Sequence, residues 1–285
     1  MLRVGVVKEI WRYPVKSMAG ERVVMGDLTP RGLRGDRRWA LRDDVHQEIW
    51  SGRNLHAISA CAARYLAEPA GDESPAVRIT LPGGVQVDSG DTDAHVRISA
   101  ALGHPLSLWP VVDPTNLAHY RRKPREQVEL GAYLAEQFAR LPGEPFPDLS
   151  KAPPEAMEFV SAPGGYCDVA PLHVLTTASL AHMKALNSAA DWDVRRFRPN
   201  LLIETDGGLT GLVDAAWAGR TLAIADARVT CSIDAFRCAT PTLATPDLPK
   251  DPSVLRSIVR DANQNLGLYA GTAKGGGYGK VMWFI

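Results

Sequence analysis

Cysteine is scarce, and none of the four residues, Cys61, Cys167, Cys231 and Cys238, belongs to a CxxC pair. That argues against a zinc ribbon, a thioredoxin-type dithiol or an iron–sulfur cluster held by this chain. In a reducing compartment all four are expected to be thiols. The seven histidines form no HxH or HExxH pair, so no histidine-based zinc motif is present. A GxSxG elbow, a Walker A loop and a dinucleotide fingerprint are equally missing. The run KGGGYGK, residues 274–280, lacks the helix-opening lysine and Ser/Thr of a phosphate loop and reads as a flexible hairpin. No stretch approaches the roughly 20 apolar residues that cross a bilayer. The N-terminal apolar stretch is broken by Lys8 and Glu9, too early for a signal peptide, and the expectation is a cytoplasmic protein away from membranes. Thirty-two basic and 32 acidic residues cancel, leaving no global field to hold nucleic acid. Any anion site has to be assembled from local charge.

What is present is enough for a large core: 285 residues, 45% of them hydrophobic, near two ordinary domains or one large one. RVGVVKEIWRYPV, RVVMGDLT, RRWALRD and VRITLPGGVQVD read as short strands with turns between them, which suggests a barrel. DTDAHVRISAALG predicts a helix capped by Asp91 or Thr92 and stopped at Gly103, and Leu106 to Val112 returns to strand. Proline and charge rise between Asp113 and Pro163, around one amphipathic helix, REQVELGAYLAEQFARL, and a linker, PGEPFPDLSKAPPEA. Then come a capped helix at TTASLAHMKAL, strands at NLLIET, RTLAIA and ARVTCSI, and a helix opened by Asp251-Pro252. The expected class is α+β and β-rich. The expected units are a β-barrel-like domain at 1–112, a helical linker segment at 113–150, and a second barrel with flanking helices at 151–285.

Four stretches carry charge or a nucleophile where regular structure stops. YPVKSMAGE places Lys16 and Ser17 at a strand end, where an ammonium, a hydroxyl and backbone amides converge on an anion; a solvated turn is the plainer alternative. RGLRGDRRW packs Arg31, Arg34, Arg37 and Arg38 around two glycines, enough for a bidentate anion grip. Strand alternation sends Arg37 and Arg38 to opposite faces, so at most one enters a site; pairing with Asp36 and Asp43 is the surface alternative. In DVRRFRPN, Pro199 is expected to hold Arg198 extended, Phe197 to anchor the segment, and Asn200 to offer its amide to a ring or carbonyl; covering a sheet edge is the alternative. In DAFRCATPT, Cys238 is a core filler, a nucleophile or a metal ligand, and the adjacent Arg237 favours the thiolate that the last two need. Cys61, Cys167 and Cys231 lack an adjacent cation and read as packing.

In this order, YPVKS, GLRGDRRW, FRPN and RC resemble the MOSC proteins with an N-terminal β-barrel domain, the group that includes the mitochondrial amidoxime-reducing component. The likeness runs from about Val4 to Tyr269. It implies a site for molybdenum cofactor, Mo-molybdopterin, with Cys238 as the protein ligand to the metal. It also implies cofactor contacts from Lys16, Ser17, Arg37, Arg198, Asn200 and Arg237, with Asp168 near the metal as a proton carrier or orienting group. Arg53, in WSGRNLHAIS, would border a substrate pocket. The implied activity is reduction of small N-hydroxylated compounds, with electrons from a separate ferredoxin, flavoprotein or cytochrome-type protein, since no iron–sulfur domain follows. The alternative the resemblance carries is a molybdenum cofactor carrier or sulfur-transfer module without turnover; pyridoxal phosphate binding is a further family association. The tail GTAKGGGYGKVMWFI departs from the family's Gly-Asp turn and last strand, which puts barrel closure in question.

Overall fold

A computed structural model describes residues 2–124, 129–273 and 279–282, the last four as backbone. Strands and turns dominate the first part: β1 (Gly5–Arg12), β2 (Glu21–Val23), β3 (Met25–Thr29), β4 (Gly32–Leu33), β5 (Trp39–Asp43), β6 (Glu48–Trp50), β7 (Ala62–Tyr65), β8 (Val77–Thr80), β9 (Gln86–Asp88), helix α1 (Ala94–Leu102) and β10 (Leu106–Pro110). Three short helices follow, α2 (Leu117–Tyr120), α3 (Leu130–Gln137) and α4 (Glu155–Glu158). The second part runs β11 (Leu172–Thr176), α5 (Thr177–Leu186), β12 (Leu201–Thr205), β13 (Thr221–Ile224), β14 (Ala227–Phe236), α6 (Pro252–Asp261), β15 (Asn265–Thr272) and β16 (Gly279–Met282). The fold is thus mixed and mostly strand, with a curled half-barrel sheet and six helices among the described residues.

That curled sheet has seven strands in the order β13-β14-β15-β11-β12-β1-β2. Its one parallel pair, β11 with β12, is joined by α5, because a parallel return needs a crossover. All five residues of β11 are buried, as expected of a strand covered on both faces. Leu172 and Val174 face one core with Ile10, Leu201, Cys231 and Leu268. Leu175 faces another, made with Met183 of α5, Val254 and Ile258 of α6, and Phe197. A third core, Val15, Trp39, Leu41, Ile58, Ile79 and Ile98 among others, belongs to the smaller sheets. Sheet pairing crosses the boundary expected near residue 112, since β1 pairs antiparallel with β12, Ile10 opposite Leu201. β16 pairs with β3, so a last strand is present despite the unfamiliar tail.

The helix caps reflect local chemistry. Thr176 caps α5 by accepting from the Ser179 N–H, and Asp251 caps α6 by accepting from the Ser253 N–H with Pro252 in the first turn. At α1 the stop is Gly103, left-handed at φ 70°, but the start differs from expectation. Asp93 occupies the cap position without a side-chain bond, because Asp91 is taken by the Asp88 N–H and Arg97. Glu129 caps α3; residues 125–128 of that expected helix, and 274–278 of the expected hairpin, lie outside the described residues.

Candidate functional site

Two chain segments meet where β1 ends. The Arg37 N–H donates to Tyr13 O at 2.7 Å, the Trp39 N–H to Pro14 O at 3.0 Å and the Lys16 N–H to Trp39 O at 2.8 Å. This zipper brings the YPVKS and DRRW stretches side by side. Across from them, Asn200 stitches the large sheet: its Oδ1 accepts from the His173 N–H at 3.1 Å and its Nδ2 donates to Trp11 O at 3.2 Å. The amide that the sequence offered to a ring or carbonyl is therefore occupied with backbone, and Asn200 acts by holding β1 and β11 in place. β14 arrives with two bulges, the second between Asp234 and Phe236. A bulge turns the strand and re-aims the residues beyond it, here Arg237 and Cys238.

The outcome is one cavity lined by Lys16, Ser17, Arg37, Asp168, Arg198, Asn200, Arg237 and Cys238. Four cations from four distant segments share it with Asp168. Three of its residues are non-glycine yet left-handed, Ser17 at φ 68°, Arg37 at 49° and Arg198 at 55°. Such backbone costs about 1–3 kcal/mol per residue and persists where surrounding structure fixes it. For Arg198 this corrects the extended conformation expected before Pro199. Its guanidinium lies 4.1 Å from the Tyr13 ring centroid, and that of Arg37 lies 4.8 Å from the same ring. Tyr13 in turn donates its hydroxyl to Pro199 O at 3.0 Å. Arg38 points away, donating to Gly164 O at 3.0 Å, so only one of the two arginines enters the cavity, as expected; the cause is the left-handed turn at Arg37 just before β5 rather than strand alternation. The surface pairing considered for this stretch exists in part: Arg37 contacts Asp36, whereas Asp43 is engaged by His46 and His104.

Electrostatics follow from burial and crowding. Burial and then the like charge of Arg37 lower Arg198 to about 10. Arg237 is lowered by burial. Each keeps a buried N–H group without a partner, Arg198 at Nη2 and Arg237 at Nε; most such donors in folded proteins are satisfied. Lys16 is 4% exposed and donates to Ser161 Oγ at 3.0 Å, to Tyr166 O at 3.1 Å and to Asp168. Burial lowers its pKa, with Asp168 opposing. Burial pushes the Asp168 carboxyl upward, but Lys16 and then Arg53, 3.5 Å away, overcome it and hold the group below the ordinary carboxylate range. Asp168 is a fixed anion at neutral pH. Its carboxylate contacts both Lys16 and Arg53.

Cys238 lies just beyond the end of β14 and is half-buried, its Sγ 3.2 Å from Thr240 Oγ1. Cys61 and Cys231 are sealed in hydrocarbon, and burial pushes both thiols up to about 12. Cys167, read from sequence as packing, instead lines the cavity, with burial holding its thiol at about 11 despite Arg37 and Lys16. Its place beside Asp168 was the only signal for it. Tyr166 and Tyr269 also line the cavity, as does His173, which gave no signal because LHVLT reads as core. Burial first, then Arg237 and Arg37, depress His173 to about 3, so it stays a neutral imidazole.

Comparison with known families bears on this architecture. The description "MOSC N-terminal beta barrel domain" matches residues 4–98, and "MOSC domain" matches residues 163–280. The chain is a MOSC domain protein. The second match covers Asp168, Arg198, Asn200, Arg237 and Cys238, and the first covers Lys16, Ser17 and Arg37, so the cavity of this MOSC protein draws on both. MOSC domains are associated with molybdenum cofactor binding and with molybdenum cofactor sulfurase-like proteins. No curated protein matches the chain. Among the described residues no helix is long and apolar enough to cross a membrane.

Behind His173 lies Gly267, left-handed at φ 84°; a Cβ there would stand 2.3 Å from His173 Nε2 and 2.8 Å from Val174 O. Gly267→Ala combines backbone strain with overpacking, and a loss of about 2 kcal/mol or more is expected in urea unfolding. An unchanged midpoint would show that β15 relaxes away from His173 freely.

Proposed function

We propose that this MOSC protein holds molybdenum cofactor in the cavity, with Cys238 as the protein's sulfur ligand, and that the loaded protein reduces small N-hydroxylated compounds. The observation that carries the reading is the meeting of Cys238 with four cations in a chain of zero formal net charge. Arg198 Nη2 and Arg237 Nε supply buried donors without partners, which suits a phosphate-bearing, anionic group. Among the described residues no three His, Cys, Asp or Glu side chains gather to hold a metal. A metal beside Cys238 therefore needs most of its ligands from a cofactor, and a soft thiolate suits a sulfur-rich centre. The enclosed volume is about 100 Å³, below the roughly 300–1,000 Å³ of typical ligand sites, so Lys16 and the arginine side chains have to draw back around a whole pterin.

When bound, the group supplies two-electron redox chemistry. The chain's own residues do the rest. Lys16, Arg37, Arg198 and Arg237 bind negative charge, Ser17 offers a hydroxyl, Asn200 fixes the strands, and Asp168 orients Lys16 and Arg53 at the rim. Reduction of an N-hydroxyl group takes two electrons and two protons, breaks the N–O bond and releases water. The electrons come from a separate ferredoxin, flavoprotein or cytochrome-type donor.

Protein made in a cofactor-competent host and supplied with reduced methyl viologen is expected to convert N-hydroxybenzamidine to benzamidine. Bound molybdenum and pterin without turnover would replace the reductase reading with a cofactor carrier. Neither cofactor nor turnover would overturn both.

A further inference from the structure

The ladder of β14 ends at Phe236, opposite Asn265, so sheet pairing does not hold the residues beyond it. Arg237, Cys238 and Ala239 are fixed instead by two other pieces of chain. One is the turn before β15, where the Arg237 N–H donates to Gln264 O at 2.9 Å. The other is the segment at the end of α3, in the stretch read from sequence as helix and linker. Here the Ala239 N–H donates to Gln137 O at 3.2 Å, and the Phe138 ring packs against that of Phe236, centroids 6.2 Å apart. Cys238 is thus held through both neighbours by groups outside its own strand. Neither family description reaches the second anchor, since residues 99–162 lie between the two matches.

Arg140 ties these pieces together, and it is only 8% exposed although it belongs to a connecting segment. Its Nε donates to Pro145 O at 3.1 Å and its Nη1 to Phe138 O at 2.9 Å, which wraps residues 138–145 around the guanidinium. Its Nη2 donates to Gln264 Oε1 at 2.9 Å and reaches Arg237 O at 3.4 Å, the carbonyl of the peptide bond that leads into Cys238. Gln264 in turn donates through Nε2 to Phe146 O at 3.0 Å. Among the described residues Arg140 pairs with no carboxylate; Glu144 is taken by Arg256. Arg140 does not line the cavity, so direct contact with a ligand is not its role. A buried guanidinium bonded to neutral oxygens of three segments contributes geometry, because its rigid fork of donors fixes those oxygens relative to one another. We infer that Arg140 is a positioning residue for Cys238: it acts through Arg237 O and Gln264 to set where the sulfur stands, and it makes residues 137–146 a strap on the Cys238 turn rather than a spacer between domains.

Amide hydrogen exchange of the full chain, read by mass spectrometry, tests this placement with no cofactor required. In Arg140→Met and Arg140→Lys, residues 237–243 should exchange at least about tenfold faster than in wild type, the scale of a lost charged hydrogen bond. Peptides from β8 and α1, which belong to the separate core of the smaller sheets, should keep their wild-type rates. Lysine keeps the charge without the fork and folds with the smaller disturbance, so its failure to rescue separates geometry from charge. A second arm rests on the proposed activity. In loaded protein both variants should lower kcat per bound molybdenum at least about tenfold and leave KM for N-hydroxybenzamidine within about twofold. Wild-type exchange at 237–243 in both variants, full rescue by lysine, or acceleration spread equally over β8 and α1 in both would each overturn the inference. Wild-type protein without turnover counts against the proposed activity alone, since the exchange arm decides the inference without it.

Discussion

Replacing Cys238 by serine is expected to leave the fold intact and to cut N-hydroxybenzamidine reduction by at least ~100-fold. Residues outside a metal's own ligand shell typically cost about 10–100-fold when removed, and a direct sulfur donor should cost more. Serine keeps the side chain's shape and its contact with Thr240, so packing at the end of β14 is preserved. What changes is the donor: a hydroxyl is a harder and far less acidic ligand than a thiol. Matched urea midpoints with lost turnover are the expected pair of results. Equal turnover in the two proteins would remove Cys238 from the chemistry.

Asp214→Asn is expected to stabilise the protein at alkaline pH and to leave it little changed near pH 4. Burial raises the Asp214 carboxyl to about 6 from an ordinary 3.8. The folded chain therefore holds a proton that the unfolded chain has released between those values. That contribution is full below about pH 4 and is lost as pH rises through 6, amounting to roughly 3 kcal/mol. Asparagine carries no such titration and still accepts from Ser179 through its Oδ1. Urea unfolding at pH 4.5, 6 and 8 should show the variant gaining on wild type as pH rises. Parallel curves would mean that Asp214 finds a counter-ion or solvent in the native state.

Features set by neighbouring residues were legible in the sequence. Thr176 and Asp251 announce their helices because a capping oxygen needs only an N–H two or three residues on. That only one of Arg37 and Arg38 enters the site was expected, but the left-handed turn at Arg37 before β5, not strand alternation, parts them. The ordered motifs named residues that meet in one cavity although up to 222 positions separate them, Lys16 from Cys238; that came from resemblance, since nothing local fixes such a meeting.

Long-range contacts hid the remainder. β1 joins β12 through pairing about 190 residues apart, which no short pattern encodes. Arg198 is left-handed because it is held against Tyr13 and Met18 O, and this tertiary grip overrides the preference that Pro199 imposes. Asp168 is gripped by two cations, Lys16 and Arg53, from other segments, which its own neighbours in sequence do not announce. His173 looks like core because it is core on a wholly buried strand, and it faces the cavity all the same. Asp214 and Asp234 carry no motif, and the buried oxygen that each leaves without a partner is visible only in three dimensions.

The most direct measurement is molybdenum and pterin content, by elemental analysis and by fluorescence of the oxidised pterin, on wild-type protein from a cofactor-competent host. Near-equimolar metal, pterin and chain is the expected result, with both falling together in Cys238→Ser. Wild-type protein that carries neither, or a serine variant that carries as much molybdenum as wild type, would contradict a metal held by Cys238 among the arginines.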